Sequence, residues 1–224
     1  MIRYLRRRHF IVSAATGALV GLCAPAALAQ AKAPAQAARA PLLLVLGDSL
    51  SAEYGLARGT GWVALLEKQL AQDKLNVTVV NASVSGETTS GGRSRLAALL
   101  AQHKPTHVVI ELGGNDALRG LPLKNTEENL TWMTQAAQKA GAKVLLVGMQ
   151  VPPNYGTDYA NKFAGLFATV AQTQKAAVVP FLLKGVADGP DPTRLFQPDR
   201  IHPRAEAHPQ MLANVWPELK KLLR

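Results

Sequence analysis

The sequence predicts an α/β protein, with a parallel β-sheet of about five strands covered by helices on both faces. Two observations carry this. From Pro41 onward, short apolar runs alternate with longer amphipathic segments. Each apolar run also ends in a polar cluster, and in open α/β sheets the carboxyl ends of the strands are where ligands bind.

The first run, Leu42–Leu46, is apolar at every position, as expected of a strand covered on both faces. It stops at Gly47, Asp48 and Ser49. Further strands are expected at Val77–Asn81, His107–Leu112, Lys143–Met149 and Ala177–Leu182. Helical periodicity marks Trp62–Ala71, Arg93–Gln102, Glu127–Lys139 and Asn161–Gln174 between them. A last helix, Met211–Leu223, sets Leu212, Val215, Trp216, Leu219, Leu222 and Leu223 at helical spacing. The clusters "GDS", "NASVSGETTSGG", "GGND" and "QVPPNYG" follow the first four strands in turn, and "PDRIHP" precedes the last helix. All of them should therefore converge on one sheet edge.

The segment before this domain has a different character. Arg3, Arg6, Arg7 and Arg8 precede an apolar stretch from Phe10 to Leu22, and small residues lead to "ALA" at Ala27–Ala29. This is the pattern of a secretory signal peptide over 1–29, followed by an alanine-rich linker over 30–40 and the domain over 41–224. Pro25 and the small residues favour cleavage over retention as a membrane anchor. "RRHFI" resembles a twin-arginine export signal. Leu22 stands where a lipoprotein signal has a small residue, so Cys23 is a poor lipid-attachment site. The expected destination is the periplasm.

Composition narrows the classes. The chain has 224 residues, 48% hydrophobic, enough for one substantial core. Its net charge is +10, and losing 1–29 removes four arginines and no acid, leaving +6. The excess is scattered and forms no basic stripe with aromatics, which argues against nucleic-acid binding. The single cysteine would leave with the leader, so neither a disulfide framework nor a thiol nucleophile is expected.

Ser49 needs a base to act as a nucleophile, since a serine hydroxyl is weak at neutral pH. His202 follows Asp199 by three residues in "DRIH", close enough for the carboxylate to fix the imidazole tautomer and stabilise its cation. Pro203 suits the first turn of the closing helix, which would hold His202 in place. His103, His107 and His208 lack such an arrangement and read as structural or idle. Neither an H-E-x-x-H motif nor a cysteine–histidine cluster occurs, so no catalytic metal is expected. Gly86 offers a backbone N–H, and Asn115 a side-chain amide, for a developing oxyanion.

Taken together, Ser49 in "GDSLS", Gly86 in "SVSGET", Asn115 in "ELGGND" and His202 in "DRIHP" resemble the four signature blocks of the SGNH, or GDSL, hydrolase superfamily. The resemblance runs from Pro41 to the C-terminus. It is strongest to the bacterial branch known as thioesterase I, protease I or lysophospholipase L1, the arylesterases included. It implies a flavodoxin-like three-layer α/β/α fold without a cofactor. It also implies Ser49 as nucleophile, His202 as base, Asp199 as its orienting acid, and an oxyanion hole of Ser49 N–H, Gly86 N–H and the Asn115 side chain. The expected substrate is a small acyl ester or thioester, lysophospholipids among them, handled by a monomer without stable membrane insertion. Asp48 would brace the loop rather than move protons. Pro153, Asn154, Tyr155 and Gly156 match the segment that borders the acyl pocket. Glu53 stands where relatives often carry glycine, and a charge there would alter the pocket rim. Two other readings stay open: a carbohydrate O-deacetylase of the same superfamily, and a module that binds lipid or glycan without chemistry.

Overall fold

The computed structural model describes residues 40–224. The leader, its cleavage site, Cys23 and the linker up to residue 39 lie outside the described residues. Five strands, β1 (Leu42–Gly47), β2 (Thr78–Asn81), β3 (His107–Glu111), β4 (Lys143–Val147) and β5 (Ala177–Val179), form one parallel sheet in the order β2-β1-β3-β4-β5. This is the flavodoxin-like order. Leu43, Leu44 and Leu46 of β1 have no exposed surface, and each contributes roughly 1.5–3 kcal/mol by burial.

Six helices cover the sheet: α1 (Trp62–Gln72), α2 (Thr89–His103), α3 (Gly114–Leu118), α4 (Leu123–Lys139), α5 (Thr157–Gln174) and α6 (His208–Leu222). Helix α2 packs on α4 and α4 on α5, while α1 packs on α6. The handedness of crossovers explains the division. The chain steps from β1 to β2 in one direction and from β1 past β3 to β5 in the other. Right-handed connections then put α1 opposite α2, α4 and α5. Helix α1 buries Trp62, Val63, Leu66 and Leu70, and α6 buries His208, Met211, Val215 and Leu219, each a single helical stripe.

The departures from expectation lie at element ends and in one short extra helix, α3. Helix α2 begins four residues early, at Thr89, because the Thr88 hydroxyl accepts the Gly91 N–H at 3.3 Å and caps it. Gly92 belongs inside this helix, since a Cβ there would come within 2.4 Å of Leu112 Cδ1. Helices α4 and α5 also start four residues ahead of the periodic stretch, and α3 was not expected at all. Strand β5 stops at Val179 because Pro180 has no N–H to continue the ladder. Pro203 does not open the closing helix. It pairs with Phe196 in an antiparallel bridge, and α6 starts at His208 with Pro209 in its first turn.

Candidate active site

Strand order reverses between β1 and β3, and ligands of such sheets bind outside the carboxyl ends at that reversal. Ser49 follows β1 and Asn115 follows β3, so both sit there. The turn after β1 is tightly braced. The Asp48 carbonyl accepts the N–H groups of Ser51 at 3.2 Å and Ala52 at 3.0 Å. Asp48 Oδ1 accepts the Leu50 N–H at 3.0 Å, and its Oδ2 accepts Asn115 Nδ2 at 3.0 Å. Asp48 is therefore a brace, and it joins the two segments across the reversal.

His202 reaches this turn from far along the chain. Its Nε2 lies 2.9 Å from Ser49 Oγ, and its Nδ1 lies 2.6 Å from Asp199 Oδ2. Asp199 Oδ1 accepts the N–H groups of Ile201 at 3.0 Å and His202 at 3.1 Å. In place of a helical turn, a small antiparallel loop holds the base. Gln197 N–H donates to the His202 carbonyl at 2.8 Å, and Arg204 N–H donates to the Leu195 carbonyl at 2.7 Å. The Tyr54 ring leans on the imidazole with centroids 4.3 Å apart.

Gly86 adopts φ +78°, the left-handed region open to glycine at little cost. Arg119 Nη2 donates to its carbonyl at 2.9 Å and so fixes the plane of that peptide. Among the described residues, the backbone N–H groups of Ser49 and Gly86 donate to nothing. With Asn115 Nδ2 they supply three donors from three sheet-edge segments.

Three carboxyl groups shape the electrostatics. Burial pushes Asp48 up to about 6, against the hydrogen bonds from Leu50 and Asn115. Burial pushes Glu111 well above the ordinary carboxylate range, and the neighbouring Asp48 adds to it. Asp199 behaves oppositely. Desolvation raises it more than any single neighbour lowers it, but the hydrogen bonds from the His202 ring and the Ile201 and His202 amides together outweigh it and hold it at about 2.

Of the expected loop residues, Pro153–Tyr155 form a single 3₁₀ turn, and Gly156, at φ +88°, caps α5. Tyr155 stacks on Tyr159 at 6.3 Å. Among the described residues, none of these four hydrogen-bonds to Ser49 or His202. Glu53 does not point a charge at the rim. Its carboxylate accepts the Gly59 N–H at 2.9 Å and the Gly61 N–H at 2.8 Å, at the start of α1. Its φ of +60° explains why glycine would suit the position.

Sequence reasoning missed a supporting layer. Glu111 Oε2 accepts Ser51 Oγ–H at 2.7 Å, and Ser51 Oγ accepts the Trp62 indole N–H at 3.1 Å. Asp116 accepts the Thr89 N–H at 2.8 Å and its hydroxyl at 2.5 Å, tying the segment after β3 to the start of α2. The available signal was an acid embedded in the apolar strand "HVVIEL". His107 and His208 are buried.

Comparison with known proteins identifies the family and the fold. A model of the GDSL-like lipase/acylhydrolase family matches residues 45–209. The chain is 52% identical over 188 residues to a Pseudomonas aeruginosa protein named esterase TesA, spanning 84% of this chain and 92% of that one. It is 41% identical over 174 residues to the Escherichia coli protein named thioesterase 1/protease 1/lysophospholipase L1, spanning 78% of this chain and 81% of that one. A crystal structure of TesA superposes with a TM-score of 0.78 at 52% identity, covering 81% of this chain and 99% of the other.

Proposed function

The chain belongs to the GDSL-like lipase/acylhydrolase family, and from that premise we propose an exported serine hydrolase that cleaves acyl esters and thioesters through an acyl-enzyme on Ser49. The observation that carries this reading is the unbroken relay from Ser49 Oγ through the His202 ring to Asp199.

The chemistry follows from the distances. His202 Nε2 takes the Ser49 proton as Oγ attacks the acyl carbonyl, and Asp199, kept ionised, stabilises the imidazolium. The carbonyl oxygen gains negative charge and is met by Ser49 N–H, Gly86 N–H and Asn115 Nδ2. His202 then gives its proton to the departing alcohol or thiol. A water molecule, deprotonated by the same nitrogen, attacks the acyl-enzyme and frees the acid and Ser49. Thiols leave as well as activated alcohols do, which supports a range covering both ester types; the names of the relatives span the same range.

The mouth of the site favours acyl groups with some hydrocarbon. Among the described residues, the large apolar side chains that stay exposed are Tyr54, Val84, Leu118 and Ile201. They come from the segments that carry Ser49, Gly86, Asn115 and His202, and Tyr54 lies against the His202 ring. No helix among the described residues is long and apolar enough to cross a membrane. Export to the periplasm rests on the leader alone.

Purified protein assayed on p-nitrophenyl esters from acetyl to palmitoyl, and on acyl thioesters, tests the proposal. Activity beyond acetate that vanishes in Ser49→Ala is expected. A folded wild-type sample without hydrolysis of any of these would sink it.

A further inference from the structure

Helix α1 starts at Trp62 without a side-chain cap from Gly61. A helix start leaves its first backbone N–H groups without intrahelical acceptors. For Trp62 the acceptor is His208 Nδ1, at 3.0 Å and 146 residues away. A backbone N–H can only donate, so Nδ1 carries no proton and the ring is neutral with its proton on Nε2. The His208 ring is buried, and the Pro203 carbonyl lies against it. Pro203 is the immediate neighbour of His202.

The other end of Trp62 faces the nucleophile. Its indole N–H donates to Ser51 Oγ, two residues from Ser49. One fully buried tryptophan thus meets the base-bearing segment through its backbone and the nucleophile turn through its ring. Besides the Ser49–His202 contact itself, two other direct ties join the two segments among the described residues: the Gln197 amide donating to the Tyr54 carbonyl at 2.9 Å and the Tyr54 ring on His202. Both of those involve exposed Tyr54, whereas the His208 tie is internal.

We propose that His208 is a positioning residue for the hydrolysis, holding the His202 segment in register with the Ser49 turn through Trp62. This rests on Ser49 and His202 being nucleophile and base. Their 2.9 Å contact spans 153 residues of chain, and a shift of about 1 Å at such a contact costs on the order of a hundredfold in rate.

The tie is sensitive to acid. Burial disfavours a proton on His208, while the Pro203 carbonyl and the Glu53 carboxylate, the charged group facing the ring, pull the other way. Protonation would turn Nδ1 into a donor against the Trp62 N–H. A histidine whose folded value is depressed contributes fully above its ordinary 6.5 and loses that contribution as pH falls below it.

The test compares full-length wild type, His208→Leu, His208→Asn and Ser49→Ala on p-nitrophenyl butyrate, with thermal unfolding followed alongside. Asn places an acceptor oxygen near where Nδ1 stands; Leu does not. Expected are a kcat about tenfold lower in His208→Leu with KM nearly unchanged, recovery of most of that loss in His208→Asn, and a shallower acid limb in His208→Asn than in wild type. A cooperatively melting His208→Leu with wild-type kcat overturns the proposal, as does equal loss in Leu and Asn. Where His208→Leu fails to fold, an acid limb of His208→Asn that superimposes on wild type overturns it. Activity retained by Ser49→Ala would instead defeat the underlying reading of the nucleophile.

Discussion

The turn that carries Ser49 and the loop that carries His202 meet at 2.9 Å yet are built in opposite ways. The Ser49 turn leaves a strand buried from Leu43 to its end and stands on two buried carboxyl groups, Asp48 and Glu111. The His202 loop lies at the surface, with Asp199 exposed and Arg200 at φ +59°. The difference shows in the acids. Burial drives Asp48 up to about 6 and Glu111 well above the ordinary carboxylate range, whereas the hydrogen bonds from His202 and Ile201 outweigh burial at Asp199 and hold it at about 2. The Ser49 side is held by buried groups, and that burial makes its acids easier to protonate. The base side keeps the one carboxylate that must stay charged in contact with solvent.

The largest effect should come from the solvated side. Asp199→Asn keeps the shape but offers the His202 ring the wrong hydrogen-bond partner, and kcat should drop by about 10³–10⁴. A loss below tenfold, measured on p-nitrophenyl butyrate, would break the contrast, because Asp199 would then be an ordinary surface acid. On the buried side, Asn115→Ala removes one oxyanion donor and should lower kcat by about 10²–10³ with little change in KM.

Next in size is a pH effect through Asp48. Both of its oxygens accept N–H groups, so the ionised form fits the site, and protonation below about 6 loosens the Asn115 amide. Asp48→Asn should lower kcat by about tenfold, since an amide nitrogen replaces one of the two acceptors. Kinetics across the acid limb that are identical in the variant and wild type would remove Asp48 from the account.

The smallest effect is on stability. Folding raises the Glu111 value above its ordinary 4.5, so the folded state holds a proton that the unfolded chain gives up, and stability from this group declines as pH rises above 4.5. Glu111→Gln mimics the protonated form. Its melting temperature relative to wild type should therefore climb between pH 4.5 and 7. Parallel melting curves at every pH would show that Glu111 is ionised in place.

Strand positions were legible because a buried parallel strand is apolar throughout, and Leu42–Leu46 needed no context. The pairing of Asp199 with His202 was legible because their spacing is local. What stayed hidden was long-range. The glycines at 91 and 92 look like a break until Leu112 and Met133 are seen pressing on the second of them. Pro203 looks like a helix start until Phe196 is found paired with it. Glu111, Ser51, Trp62 and His208 act through partners between 11 and 146 residues away, and no spacing rule connects them.

The distance along the chain between nucleophile and base has a consequence for biosynthesis. Ser49 is made early and its turn is complete once β1 and β3 have paired, but His202 arrives 153 residues later. A nascent chain that ends anywhere before Asp199 carries a serine with no base, however well its sheet has formed. Such a chain lacks the Ser49–His202 contact altogether, and that contact forms only once the loop ahead of the final helix has been made.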